Sequence, residues 1–148
     1  MHLDQCVLFM IIEESSGQIY IFKGAKEMQE LKTELQLKND PVAIYMEDED
    51  KKVHNTYHHF EFRDRESGEV LAKINYQKGP RKEAGSIPGI NTTHVVLAEI
   101  VRLEALQMSD YRCRENALSI TALQEAVMWQ NKRTRERQAR RVEGLNKV

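Results

Sequence analysis

The stretch "ALSITALQEAVMWQNKRTRERQAR", residues 117–140, decides how this chain folds. Ile120, Leu123 and Val127 recur three and four positions apart, and Leu118, Ala122, Ala126 and Trp129 widen the same stripe. With neither glycine nor proline inside it, that pattern predicts one long amphipathic helix. Past Trp129 the apolar residues give out, and residues 132–141 carry Lys132, Arg133, Arg135, Arg137, Arg140 and Arg141 against a single acid, Glu136. Just upstream, "QMSDY" ends another helix, in which Val96, Ile100, Leu103 and Leu106 share a face. Asn91, Thr92 or Thr93 can cap its start, and Ser109 or Asp110 can cap the long helix. Two helices joined by so few residues are expected to lie antiparallel.

Before this α-hairpin comes "KGPRKEAGSIPG", residues 78–89, whose three glycines and two prolines stop any helix or central strand. Upstream of it, Phe60-Phe62 and Val70-Ala72-Ile74-Tyr76 alternate around "DRESGE", which predicts a β-hairpin. "VAIYM", residues 42–46, reads as a short buried strand. "GAKEMQELKTELQL", residues 24–37, sets Met28, Leu31 and Leu35 at helical spacings, and Cys6 to Ile12 and Gln18 to Lys23 read as two strands around "EESSG". The fold class expected is α+β: an N-terminal antiparallel β-rich portion with one helix, then a C-terminal antiparallel α-hairpin with a long last helix. The chain divides into residues 1–52, residues 53–90 with the β-hairpin and Gly/Pro-rich loop, and residues 91–148.

The 148 residues are 41% hydrophobic and 30% charged with a formal net charge of -1, enough for one core and a soluble surface. "CVLFMII" is too short to span a bilayer and no basic residues precede it, so it reads as a strand rather than an export signal. Cys6 and Cys113, one in each half, then read as core fillers in a reducing compartment. His54, His58, His59 and Glu61 suggest a metal, but alternation along a strand puts His58 opposite His59 and Glu61, so no metal site is expected. The Gly-rich loop has neither phosphate-loop order, and no nucleophile sits in a recognisable arrangement with a base. Neither catalysis nor a cofactor is expected.

Arg133 and Arg137, four apart, stack on one helical face with side chains about 6 Å apart, a spacing that suits two oxygens of a phosphate or diphosphate. A solvated face complementing the helix dipole, and a nucleic-acid arm, are the other readings of the same residues. A chain that is slightly acidic overall, with a short basic cluster and no interleaved aromatics beyond Trp129, disfavours nucleic acid.

From Phe60 to Val148 the chain resembles a phage protein family. The pieces that carry the resemblance are "INYQKGPRKEAGSIPGINTTHVVLAEIVRLEALQ" and "CRENALSITALQEAVMWQNKRTRERQARRVEGLNKV". They are similar to the Thoeris anti-defence proteins of the first type, sponges that trap cyclic ADP-ribose isomers made by bacterial TIR enzymes. The helical half is also similar to anti-CBASS sponges for cyclic oligonucleotides. The resemblance implies a non-enzymatic protein in the cytoplasm of the infected host that binds a cyclic nucleotide as a homo-oligomer, a dimer or a hexamer built from dimers. Carried over by position, the residue on the ligand base or ribose edge is Asn116 and the phosphate ligands are Arg133 and Arg137. Leu106 stands where the family has an aromatic ring, and Pro88-Gly89 where it has Asn-Gly. Leu106 keeps an apolar wall but loses stacking.

Asn116 and Arg133 lie seventeen positions apart on one helix, about 26 Å at the helical rise. A ligand that touches both must therefore bridge two chains whose long helices run antiparallel. A purely structural oligomerisation module, with the arginines idle, is the alternative.

Overall fold

The computed structural model describes residues 28–47 and 56–147. The strands expected at Cys6 to Ile12 and Gln18 to Lys23, and His54, lie outside the described residues. Four antiparallel strands, β1 (Met28–Glu30), β2 (Val42–Glu47), β3 (His59–Asp64) and β4 (Val70–Asn75), form one sheet in sequence order. Two helices follow, α1 (Thr92–Gln107) and α2 (Arg114–Ala139). The class is α+β, as the patterning implies.

Cross-strand register puts Met46, Phe60 and Ile74 in one row and Ile44, Phe62 and Ala72 in the next. These rows give one face of the sheet its apolar character. The other face is charged. There Glu61 lies opposite Tyr45 and Lys73, and its carboxylate meets Arg63 Nη2 at 2.6 Å, Lys73 Nζ at 2.8 Å and His59 Nε2 at 3.5 Å. The Arg63 guanidinium also stacks 4.4 Å above the Tyr45 ring. A carboxylate only 7% exposed needs such partners to stay charged. The β3–β4 turn is built by Asp64, whose Oδ1 accepts from the Glu66 and Ser67 amides and the Ser67 hydroxyl, while Gly68 supplies the positive φ of 74°.

The helix expected over residues 24–37 is not formed where the chain is described. Met28, Gln29 and Glu30 pair with Glu47, Met46 and Tyr45, and the Leu31 amide continues the ladder to the Ile44 carbonyl at 2.7 Å. Leu35 and Leu37, at 95% and 76% exposure, lie in the turns that follow. So short a helix is marginal without an apolar partner, and the open edge of β2 offers the backbone hydrogen bonds instead.

From Tyr76 to Ile90 the Gly/Pro-rich loop is folded on itself. Lys78 and Ile87 exchange backbone hydrogen bonds at 3.0 and 2.8 Å, and Gln77 N donates to Ile90 O at 2.8 Å. Gly89 is required here because a Cβ would come within 2.4 Å of the Tyr76 carbonyl carbon. The loop leads into α1, where Asn91 and His94 form a reciprocal capping box at 3.2 Å in each direction. Ile100 and Leu103 are the buried residues of α1, and the two helices pack against each other.

The carboxyl of Glu61 is held down to about 2, by Lys73 first and then Arg63. A depressed pKa means stability that is present above the ordinary carboxyl range and lost as pH falls from about 4.5 through about 2. Glu61→Gln should therefore cost about 1–2 kcal/mol at neutral pH, the two cations Arg63 and Lys73 being partly solvated. Urea midpoints measured down the pH scale should show the gap from wild type closing below about pH 3.

Candidate functional site

The expected site residues sort to opposite ends of the helical hairpin. At its closed end, α1 finishes with Ser109 Oγ donating to the Leu106 carbonyl at 2.7 Å, so Ser109 closes the first helix rather than capping the second. The cap of α2 is Cys113, whose sulfur accepts from the Asn116 amide at 3.4 Å. Cys113 is exposed, not a core filler. Leu106 in the last turn of α1 and Asn116 in the first turn of α2 are both half-buried and flank this turn. The side-chain Nδ2 of Asn116 donates to the Tyr111 carbonyl at 3.5 Å, a weak tether that leaves Oδ1 available.

The basic end is organised by Arg137. Its Nε donates to Glu143 at 3.3 Å, its Nη1 to the Lys147 carbonyl at 2.9 Å, and its Nη2 to the Val142 and Leu145 carbonyls at 3.0 and 2.9 Å. Four of five guanidinium donors thus go to the C-terminal tail, and one Nη1 hydrogen remains. The helix ends in a Schellman arrangement, with Val142 N bonded to Arg137 O at 3.0 Å and Arg141 N to Gln138 O at 2.9 Å. The left-handed position, φ 57°, is taken by Arg141 where glycine is usual.

The tail in turn holds the Gly/Pro-rich loop. Lys82 N donates to Gly144 O at 3.0 Å, and Asn146 N to Glu83 Oε1 at 3.2 Å. The Lys82 stem lies so close over Gly144, itself at φ 77°, that an added Cβ would sit 3.0 Å from Lys82 Cγ. Loop, tail, the start of α1 and the end of α2 enclose a cavity of about 680 Å³. Its walls carry the cations Arg81, Lys82, Arg133, Arg137 and Lys147, and the one carboxylate among the described residues that line it, Glu143, is already paired with Arg137.

Arg133 and Arg137 therefore share one cavity, as their spacing implied, while Leu106 and Asn116 lie at the far end of α2. Nothing in the helical spacing reveals that Arg137 binds its own tail; glycine at 144 was the available signal. Arg81 and Lys82 escaped notice because a loop has no period. His59 and Glu61 do meet, but as part of the ion cluster on the sheet, and no metal-holding group occurs among the described residues.

The sequence profile of the Acb2/Tad1 hairpin domain matches residues 68–135. Over 142 residues the chain is 38% identical to the Thoeris anti-defense 1 protein of Bacillus phage SBSphiJ7, an alignment covering 80% of this chain and 99% of that relative.

Replacing Arg137 with alanine should free the tail without unfolding the hairpin. Hydrogen exchange at the Lys82 and Asn146 amides is expected to accelerate at least tenfold, with helical circular dichroism unchanged. Lysine at 137 should rescue little, since an ammonium cannot reach four acceptors spread over the tail.

Proposed function

Since the chain belongs to the Thoeris anti-defence family, we propose that it is a phage-encoded sponge that binds a cyclic nucleotide immune signal, a cyclic ADP-ribose isomer, and holds it without cleavage. Capture would act in the cytoplasm of the infected host, where lowering the free signal disarms the effector it activates. The anti-CBASS likeness of the helical half extends the candidate ligands to cyclic oligonucleotides.

The observation that carries this reading is the state of α2. None of its residues is buried within the chain, and Leu118, Met128 and Trp129 are each more than half exposed. Burying such a stripe calls for another protein surface, and a second α2 running antiparallel is self-complementary. That pairing would bring Leu106 and Asn116 of one chain to Arg133 and Arg137 of the other at both ends of the dimer. Hexamers built from such dimers are the larger assembly proposed.

In the proposed pocket Arg133 holds a phosphate through its guanidinium, which has no acidic partner among the described residues. Arg137 contributes its remaining N–H and its charge. Asn116 reads the base or ribose edge, and Leu106 packs as an apolar wall against a base. All of this is binding chemistry. Charged donors hold the phosphates, and the reading assigns no group to attack a bond.

Light scattering should give at least a dimer at micromolar concentration; a monomer would remove the shared pocket. By calorimetry with cyclic ADP-ribose isomers, Arg133→Ala should lose about 1.5–3 kcal/mol, roughly ten- to a hundredfold in affinity. Arg135→Ala, on the opposite side of α2, should be nearly silent. Ligand recovered from heat-denatured complex should be intact and again activate the effector. Equal loss of DNA or RNA binding in both variants, with no heat from small ligands, would instead mark a nucleic-acid protein.

A further inference from the structure

We infer that the C-terminal tail, residues 142–147, is an autoinhibitory strap: it occupies the Arg137 guanidinium with its own oxygens and must let go before that arginine can grip an anion. The identity of the physiological ligand rests on the proposed function; the competition for Arg137 does not. Arg137 Nη2 donates to the Val142 and Leu145 carbonyls, Nη1 to the Lys147 carbonyl and Nε to the Glu143 carboxylate, which leaves a single N–H. Oxygens set around a planar fork, one of them anionic, are the contacts that a phosphate would make in their place. Under them the Arg137 side chain is only 16% exposed. A phosphate brought to the strapped arginine would also meet the Glu143 carboxylate, whose Oε2 lies 3.3 Å from Nε, and like charges repel.

Polar contacts, rather than apolar burial, hold the strap closed. None of residues 142–147 is buried, so release uncovers little apolar surface. Its bonds to the loop before α1 run from Lys82 N to Gly144 O at 3.0 Å and from Asn146 N to Glu83 Oε1 at 3.2 Å. Where the tail leaves α2, Arg141 is held at a φ of 57°, a left-handed conformation that is costly for a residue with a side chain and that opening relieves. The closed form is thus maintained by bonds that an anion can replace and opposed by backbone strain. For any anion the apparent affinity falls by the fraction of molecules whose strap is open, so a strap open in about a tenth of them weakens binding about tenfold. A simple anion such as inorganic phosphate gains nothing beyond the guanidinium and is kept out. A larger ligand that also reaches Arg133 and a second chain offsets the loss through those other contacts. The strap therefore selects for ligands that make many contacts.

The test measures affinity for inorganic phosphate and for a cyclic ADP-ribose isomer in full-length wild type, Glu143→Gln, Gly144→Val and Glu136→Gln. Glu143→Gln removes the anionic acceptor. Gly144→Val changes no charge but sets a β-branched side chain at φ 77° against the Lys82 stem. Both should bind inorganic phosphate about tenfold tighter than wild type or better, and the cyclic ligand tighter as well. Glu136→Gln, which removes an equal charge from the Lys132 pair on α2, should be silent. Hydrogen exchange at the Asn146 amide should accelerate when wild type binds the cyclic ligand, because the tail has left. Slower exchange there on binding, or weaker binding by both strap variants, makes the tail a wall of the pocket and overturns the strap. Equal tightening by Glu136→Gln assigns the effect to bulk charge and overturns it too. Helical circular dichroism checks that the variants fold, and Glu143→Gln alone decides the matter if Gly144→Val does not. A gain of phosphate affinity with no binding of the cyclic ligand would sink the proposed function and leave the strap standing. Binding of the cyclic ligand that the strap variants leave unchanged does the reverse.

Discussion

The guanidinium of Arg137 is the constraint on which the basic end of this molecule depends. A helix terminus leaves its last carbonyls unpaired, and the chain beyond must find donors or remain in water. Here one side chain from the last turn of α2 supplies three donors to tail carbonyls and a fourth to Glu143. The tail is thereby bent back into reach of the Lys82 amide and the Glu83 carboxylate. The Gly/Pro-rich loop, whose Glu83 lies 63 positions from Asn146 in sequence, is joined to this helix end through that chain of bonds. Lysine could not substitute, because an ammonium has three donors on one atom and Arg137 makes four contacts from three nitrogens.

The sheet solves a comparable problem with a different residue. Its charged face would be a cost if Glu61 were left alone at 7% exposure. Surrounding it with Arg63, Lys73 and His59 turns that buried charge into a cross-strand tie. Neither the sheet nor the hairpin covers the outer side of α2, so Leu118, Met128 and Trp129 remain exposed on the helix that also carries Asn116, Arg133 and Arg137.

Much of this was legible in the sequence where a period exists. The spacing of Val96, Ile100 and Leu103 and of Ile120, Leu123 and Val127 locates both helices, and alternation around "DRESGE" locates β3 and β4. The failures have physical causes. At Met28 to Glu30 a helical period was present but pairing with β2 outweighed it. Ser109 and Asp110 had the side chains of a cap, yet the turn was long enough that a weaker acceptor, the Cys113 sulfur, sat at the helix start. Arg133 and Arg137 could be placed together by helical geometry alone, whereas the partners of Arg137 depend on how a glycine-containing tail turns back, which no local pattern encodes. The roles proposed for Leu106 and Asn116 rest on resemblance, not on spacing.

The outward stripe of α2 has a consequence for timing during infection. A pocket split between two chains exists only as often as the chains meet. While dimers are scarce, the number of complete pockets grows with the square of chain concentration rather than in proportion to it. In the proposed dimer, early synthesis would capture almost nothing, and a modest further rise in expression would switch capture on. The strength of the apolar seam along α2 would then set the dose at which a phage becomes protected, independently of how tightly any finished pocket grips its ligand.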